Sequence, residues 1–432
     1  MKQSQARSRQ LMRWMVVALV LAVCVPGVVG WVSAAAPDGS GDALHTTVVR
    51  YLDARYRALV TLDSSTGGAS VSPTDQTAIA EAWNDVDVAI ARELGCGWGE
   101  YSLKTEVVDV RVAGTTADVT IRADVDFHYA SSPEVDSGVY NVIHRFRLVR
   151  TGDDWRIVSI DSDDEDFLRF KHEVMGKTGK GRSVREAADI ARRERISDLR
   201  RLADQLRAVE IRQPTTLDEV GGFSALSIEP LAAASYSYSG SNGSSYAQRF
   251  APASAPRWFY YVNGGNCTNF VSQCVWAAYG GYVSSSDTTS KNNITNKVRM
   301  VPNVWHGGTG GGMPNWESVT SFWTYATNST KTRGPMATGY NNGAKYTGIN
   351  PADVRVGNVL QVRNGSSGNY GHSVYVSVVR TDLQGPIWWD YIYVCQHTSD
   401  WKNRLASNLI ASWGGSNCNM RRLVFRAGTF DK

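Results

Sequence analysis

Between Leu103 and Ile160 the chain is written in the period of a β-strand. Ala117-Asp118-Val119-Thr120-Ile121-Arg122-Ala123-Asp124-Val125 alternates apolar and polar side chains, as an antiparallel sheet with one wet face requires. Four β-rich segments, Leu103–Val112, Ala117–Tyr129, Val139–Val149 and Trp155–Ile160, are broken by Gly114, Ser131-Ser132-Pro133 and Gly152-Asp153-Asp154, all turn formers. The stretch is thereby committed to a meander. Ahead of it, Leu44, Val48, Tyr51, Leu52 and Tyr56 recur at helical spacing within 42–62, and Ala78, Ala82, Val86 and Ile90 do so within 74–94. Two helices before the strands are predicted.

The 432 residues, 42% hydrophobic and 20% charged, suffice for two or three packed domains and exclude disorder over most of the length. The 40 glycines follow no Gly-X-Y period, which excludes a collagen-like chain. Lys2, Arg7, Arg9 and Arg13 precede an apolar run from Trp14 to Val32 and the small residues Ser33-Ala34-Ala35-Ala36. This order predicts an export signal over 1–36, and so a secreted or cell-surface protein. Pro26 and Gly27 interrupt the run and favour cleavage, with an uncleaved membrane anchor as the alternative.

Charge divides the remainder. Residues 37–215 carry 24 basic and 31 acidic groups, whereas 216–432 carry 17 and 10. A positive second half favours anionic partners such as cell-wall polymer. It contains no Lys/Arg run or basic stripe of the kind that binds nucleic acid.

The acidic patch Asp161, Asp163, Asp164, Glu165 and Asp166 opens a charged stretch, 166–235, read as a helical linker with a spacer or packing helix at about 183–209. The Ser- and Gly-rich segment from Ser235 to Ser245 punctuates the start of a last domain, 236–432, which holds nine of the fourteen tryptophans. An exported chain that loses Cys24 keeps Cys96, Cys267, Cys274, Cys395 and Cys418. Five is odd, so an oxidising compartment leaves at least one thiol unpaired within a monomer.

One thiol stands in a chemically pointed setting. Asn263-Gly264-Gly265-Asn266-Cys267 leads into a stripe of Phe270, Val271, Cys274, Val275 and Ala278. This places Cys267 at a helix N-terminus, where the dipole and free N–H groups favour thiolate. Cys274, on the buried face, reads as core or as half of a disulfide. A thiolate nucleophile needs a base, and the base an orienting group. His372 opens a strand in Gly371-His372-Ser373-Val374-Tyr375-Val376, and His397 closes the next, Asp390 to Thr398. If those strands are neighbours, both imidazoles can face the Cys helix. His306, in a Gly-rich loop, is expected to be exposed. No CxxC or Cys/His spacing indicates a metal site, so no metal and no cofactor are expected.

Two resemblances add to this. The helices-then-meander order over 40–165 resembles the NTF2-like, cystatin-like cone architecture, which leaves function open. The string Asn266-Cys267-Thr268-Asn269-Phe270-Val271-Ser272-Gln273, with Gly371-His372-Ser373 and Gln396-His397-Thr398, resembles the bacterial putative amidase domain family, a branch of the papain-like NlpC and CHAP cysteine hydrolases. The resemblance implies an α+β chain whose last domain packs a Cys-bearing helix on an antiparallel sheet. It makes Cys267 the nucleophile, His372 its base and His397 the third polar residue, with Gln396 competing for that place. The Cys267 N–H would hold the oxyanion, with Tyr261 or Tyr260 as second donor. One departure is Asn266, where the family usually has Asp. The expected activity is hydrolysis of amide bonds in peptidoglycan or related cell-wall peptides through a thioacyl-enzyme, or transamidation through the same intermediate. The alternative is an inactive cell-surface binding or assembly protein on the same scaffold.

Overall fold

A computed structural model describes residues 40–65, 70–179, 181–207, 234–252, 256–262, 265–365, 368–382 and 388–432. The export segment, Asn263-Gly264 and residues 208–233 of the linker lie outside these residues. Both predicted helices are present, α1 (Ser40–Thr61) and α2 (Asp75–Glu93), the second started by a capping box in which Thr74 and Thr77 exchange hydrogen bonds. The meander follows as β1 (Trp98–Ala113), β2 (Thr116–Tyr129), β3 (Ser132–Thr151) and β4 (Asp154–Ser162). In β2 every second residue from Ala117 to Tyr129 is buried, as its alternation requires.

The acidic patch becomes the start of a helix, α3 (Glu165–Lys177). Asp164 caps it, accepting from the N–H groups of Asp166 and Phe167 at 2.8 and 3.1 Å. The charged helix α4 (Val184–Arg207) is packed rather than free, with Ala187, Ala191, Leu199, Leu202 and Leu206 buried. Its arginines are spent on ion pairs, Arg192 with Asp85 at 2.9 Å and Arg195 with Glu173 at 2.8 Å.

The rest of the chain runs β5 (Ala234–Tyr236), α5 (Gly240–Phe250), α6 (Cys267–Ala278), α7 (Asp287–Thr295), α8 (Pro314–Glu317), α9 (Val319–Thr327), β6 (Gly334–Tyr340), β7 (Val359–Asn364), β8 (His372–Val379), β9 (Ile392–Gln396), β10 (Asp400–Leu405), α10 (Ala406–Ser412) and β11 (Cys418–Phe430). Its strands make a large antiparallel sheet, continuous with the meander, in the order β1-β2-β3-β10-β9-β8-β7-β11-β5. β4 pairs with β3, and β6 with β11. The junction is short: Asp400, Trp401 and Lys402 of β10 pair with Tyr140, Val139 and Gly138 of β3. The chain from Gly39 to Lys432 accordingly forms one compact unit.

Two cores lie on either side of the C-terminal strands. Val374, Val376 and Val394 point into the one that also holds α2 and the meander. Tyr375 and Cys395 point into the other, with Phe270, Val271 and Cys274 of α6. Gly243 lets α5 approach closely, because a Cβ there would lie 2.8 Å from the Cys274 carbonyl oxygen. Among the described residues no helix is long and apolar enough to cross a membrane.

Candidate active site

Cys267 is the first residue of α6, as expected, and is 5% exposed. Its sequence neighbours Asn266 and Thr268 each have structural partners. Asn266 donates its backbone N–H to Thr398 Oγ1 (3.0 Å), and its Oδ1 accepts from the N–H of Val262 (2.9 Å) and from Asn269 Nδ2 (2.8 Å). Thr268 Oγ1 lies 3.0 Å from Ser373 Oγ, which also accepts from Gln361 Nε2 at 3.0 Å. Arg421 Nε donates to Gln361 Oε1 at 2.7 Å. This buried chain of hydrogen bonds ties the first turn of α6 to β8 one residue beyond His372.

His372 opens β8 and is fully buried, stacked on the Trp413 ring at a centroid distance of 5.3 Å. Burial pushes the Cys267 thiol up, but the adjacent His372 imidazole outweighs it and holds the thiol below its ordinary range. The two groups couple electrostatically without the alignment of an ordinary hydrogen bond, since neither ring nitrogen of His372 has a hydrogen-bond partner among the described residues. The other four cysteines among the described residues are buried, unpaired and raised. Cys395 is pushed up to about 11 and Cys96 to about 12, both by burial, and Cys274 and Cys418 rise for the same reason. The disulfide reading of Cys274 is therefore not what the fold adopts.

His397 does not join this pair. β8 and β9 are neighbours, but Tyr375 pairs with Cys395 and Val376 with Val394, so alternation sends His372 and His397 to opposite faces. His397 stacks on Phe270 at 3.9 Å, its Nδ1 lies 2.7 Å from Asn266 Nδ2, and its Nε2 lies 3.0 Å from the Phe250 carbonyl oxygen. Asn266 can only donate to Nδ1, which fixes the neutral Nε2–H tautomer. Burial lowers the His397 pKa and agrees with that neutrality. An uncharged amide at 266 thus matches an uncharged ring.

Gln396 lies on the His372 face, yet its Nε2 turns to the carbonyl oxygens of Thr398 (3.4 Å) and Ser399 (3.5 Å). The Tyr261 hydroxyl is directed at Asp400 Oδ1, 3.5 Å away, rather than at Cys267, and Tyr260 is exposed. Of the expected oxyanion donors, the Cys267 N–H alone sits beside the thiol. His306 is half-buried, its Nδ1 accepting from the Asn303 N–H at 3.0 Å.

The residue that sequence reasoning passed over is Glu165. Its Oε2 lies 3.5 Å from His372 Nδ1. Burial raises its pKa to about 7 against the pull of Arg169. Three contacts set this placement. Ser399 Oγ accepts from the Glu165 N–H at 2.6 Å, Asp166 pairs with the buried Arg404 at 2.5 Å, and Arg169 pairs with Glu165 Oε1 at 2.9 Å. Arg169 also lies 4.0 Å above the Trp413 ring. Beside Glu165, Gly371 and Trp413 opens a cleft of about 920 Å³, lined further by Arg169, His172 and Arg195. The only sequence signal for Glu165 was its position just after a helix-capping Asp.

Residues 237–421 match the family described as "Putative amidase domain". An amidase-like function is what that match suggests, and it spans Cys267, His372 and His397 but not Glu165. The N-terminal part is similar to solved NTF2-like structures. One is an NTF2-like superfamily protein from Salmonella enterica (11% identity, 28% of this chain and 92% of that one, TM-score 0.21). Another is an NTF2-like protein of unknown function from Shewanella oneidensis (13% identity, 28% and 98%, TM-score 0.19). A third is described as a calcium/calmodulin-dependent protein kinase type II association domain from Thiobacillus denitrificans (14% identity, 26% and 90%, TM-score 0.19). No curated protein matches the chain.

Proposed function

We propose that the protein is an exported cysteine amidohydrolase that cleaves amide bonds of peptidoglycan or related cell-wall peptides, on a papain-like arrangement of helix and sheet. The observation that carries this reading is the Cys267 thiol at the first residue of α6, held below its ordinary range by His372. In the first half-reaction the thiolate adds to the scissile carbonyl carbon. First-turn N–H groups of α6, aligned with the helix dipole, stabilise the resulting oxyanion. The C–N bond then breaks, the His372 imidazolium passes its proton to the leaving amine, and a thioester remains. Water adds to the thioester with His372 as base, releasing a carboxylic acid and restoring the thiol.

The positive second half and the N-terminal pattern of basic residues before an apolar run support an anionic substrate outside the cytoplasm. The test is release of new amines from purified cell wall by the protein and by its Cys267→Ala variant. Release by the wild type alone supports the reading, and equal release by both refutes it. The burial of Cys267 and His372 favours a second reading, a wall-binding protein on the same scaffold. Retention on the wall without amine release from either protein would favour that one.

A further inference from the structure

We infer that Glu165 of α3, from outside the region that matches the amidase family, is the positioning residue of His372: it accepts a hydrogen bond from Nδ1–H and so leaves Nε2 to exchange protons with Cys267. The inference rests on the reading of Cys267 and His372 as the reacting pair. It is carried by two buried atoms that face each other with no other hydrogen-bond partner. Glu165 Oε2 and His372 Nδ1 lie 3.5 Å apart, and neither has a hydrogen bond among the described residues. A buried polar atom left unpaired is destabilising, so two that face each other are better explained as one interaction than as two defects. At 3.5 Å the contact is long for a hydrogen bond, as is common in ligand-free sites that tighten around substrate.

The carboxylate is also held rigidly, as an orienting group must be. Its backbone is tied to Ser399, its other oxygen to Arg169, and the next residue, Asp166, to Arg404. Of the expected third residues, His397 is engaged with Asn266 and Phe250, and Gln396 turns its Nε2 to the 398–399 turn, while its Oε1 has no hydrogen bond among the described residues and makes no contact with His372. The charged groups facing Glu165 are Asp166 and Arg169 of its own helix, Arg404 of β10, His372 of β8 and Cys267 of α6. A carboxylate at this place selects the Nδ1–H tautomer of a neutral imidazole and favours the imidazolium.

The test uses the full chain with 15N-labelled histidine, and the His372 signals are assigned by their loss in His372→Gln. In a Cys267→Ala background, at a pH above the measured His372 midpoint, the wild-type residue at 165 should give a protonated Nδ1 and an unprotonated Nε2. Glu165→Ala should mix the tautomers, and Glu165→Gln, whose carbonyl oxygen still accepts, should restore the single one. With Cys267 present, Glu165→Ala should slow alkylation of that thiol by about tenfold or more, and Glu165→Gln should recover most of the rate. If the alanine variant does not fold, Glu165→Gln decides alone, because loss of the charge must lower the His372 titration midpoint. Identical His372 tautomers in the wild type and Glu165→Ala, or an unmoved midpoint in Glu165→Gln, overturns the inference. Ordinary thiol reactivity of wild-type Cys267 would instead overturn the proposed function, and the tautomer result would still decide the role of Glu165.

Discussion

Thr398 and Ser399 sit side by side in left-handed backbone conformations, at φ 70° and 49°, and each holds a different wall of the site. The Thr398 hydroxyl accepts the N–H of the residue before Cys267, and the Ser399 hydroxyl accepts the N–H of Glu165. A β-branched residue at positive φ is costly and persists where its surroundings require it. Thr398→Ala should therefore cost about 1–2 kcal/mol in urea unfolding and slow Cys267 alkylation, while Thr398→Ser stays close to wild type. Equal behaviour of the two variants would show that the hydroxyl does not organise the site.

Thiol selectivity gives the second prediction. With burial holding the other four cysteines up and His372 drawing Cys267 down, iodoacetamide at pH 7 should leave one adduct, at Cys267. In His372→Ala the imidazole's pull is lost while burial and the Glu165 charge still push the thiol up, against the Ser373 N–H alone, so the thiol pKa should rise. The rate at pH 7 should then fall about tenfold for each unit of that rise. Intact-mass kinetics would read this, and an unchanged rate would disconnect the two residues.

Asn266→Asp sets a carboxylate against a ring nitrogen that now only accepts. The acid should raise the His397 pKa, because a proton on Nδ1 becomes the bond between them. The variant should lose about 1–3 kcal/mol at pH 8 and less at pH 5.5, where that proton is supplied. Urea unfolding at the two pH values reads the difference. An equal loss at both would mean that a proton on His397 does not offset the acid.

Glu165 makes stability depend on pH. Its carboxyl titrates near 7 in the fold against an ordinary 4.5, so the folded state binds the proton more tightly than the unfolded state does. Stability attributable to this group is full below about 4.5 and is lost as pH rises through 7. Glu165→Gln removes the loss. Its stability relative to wild type should climb between pH 5 and pH 8 by up to roughly 3 kcal/mol. Thermal unfolding at both ends checks this, and a constant difference would refute the burial penalty.

Much of the site is legible in the sequence. The turn residues Gly265 and Asn266 before an apolar stripe locate Cys267 at a helix start, and the apolar run after His372 locates it at a strand start. The face of His397 is not legible, because it depends on the register between β8 and β9, and a one-residue slip exchanges the faces. Glu165 was hidden for a related reason. Its docking relies on Ser399 and Arg404, the latter reached from Asp166, across separations of 234 and 238 residues. Local spacing carries no trace of contacts that distant. The α2 and meander boundaries, fixed by neighbouring residues, lie within two positions of those expected, apart from the starts of β1 and β3, which come five and seven residues earlier.

The three-residue seam between β3 and β10 has a consequence for any attempt to study the last domain alone. Cut away from the meander, β10 becomes a raw strand border with its N–H and C=O groups unmatched, and Trp401 loses the Phe127 ring that covers it at 6.1 Å. Such a border is a template for another chain. A fragment starting at residue 236 should therefore stick to itself through that edge, and light scattering of the fragment against the full chain would show it.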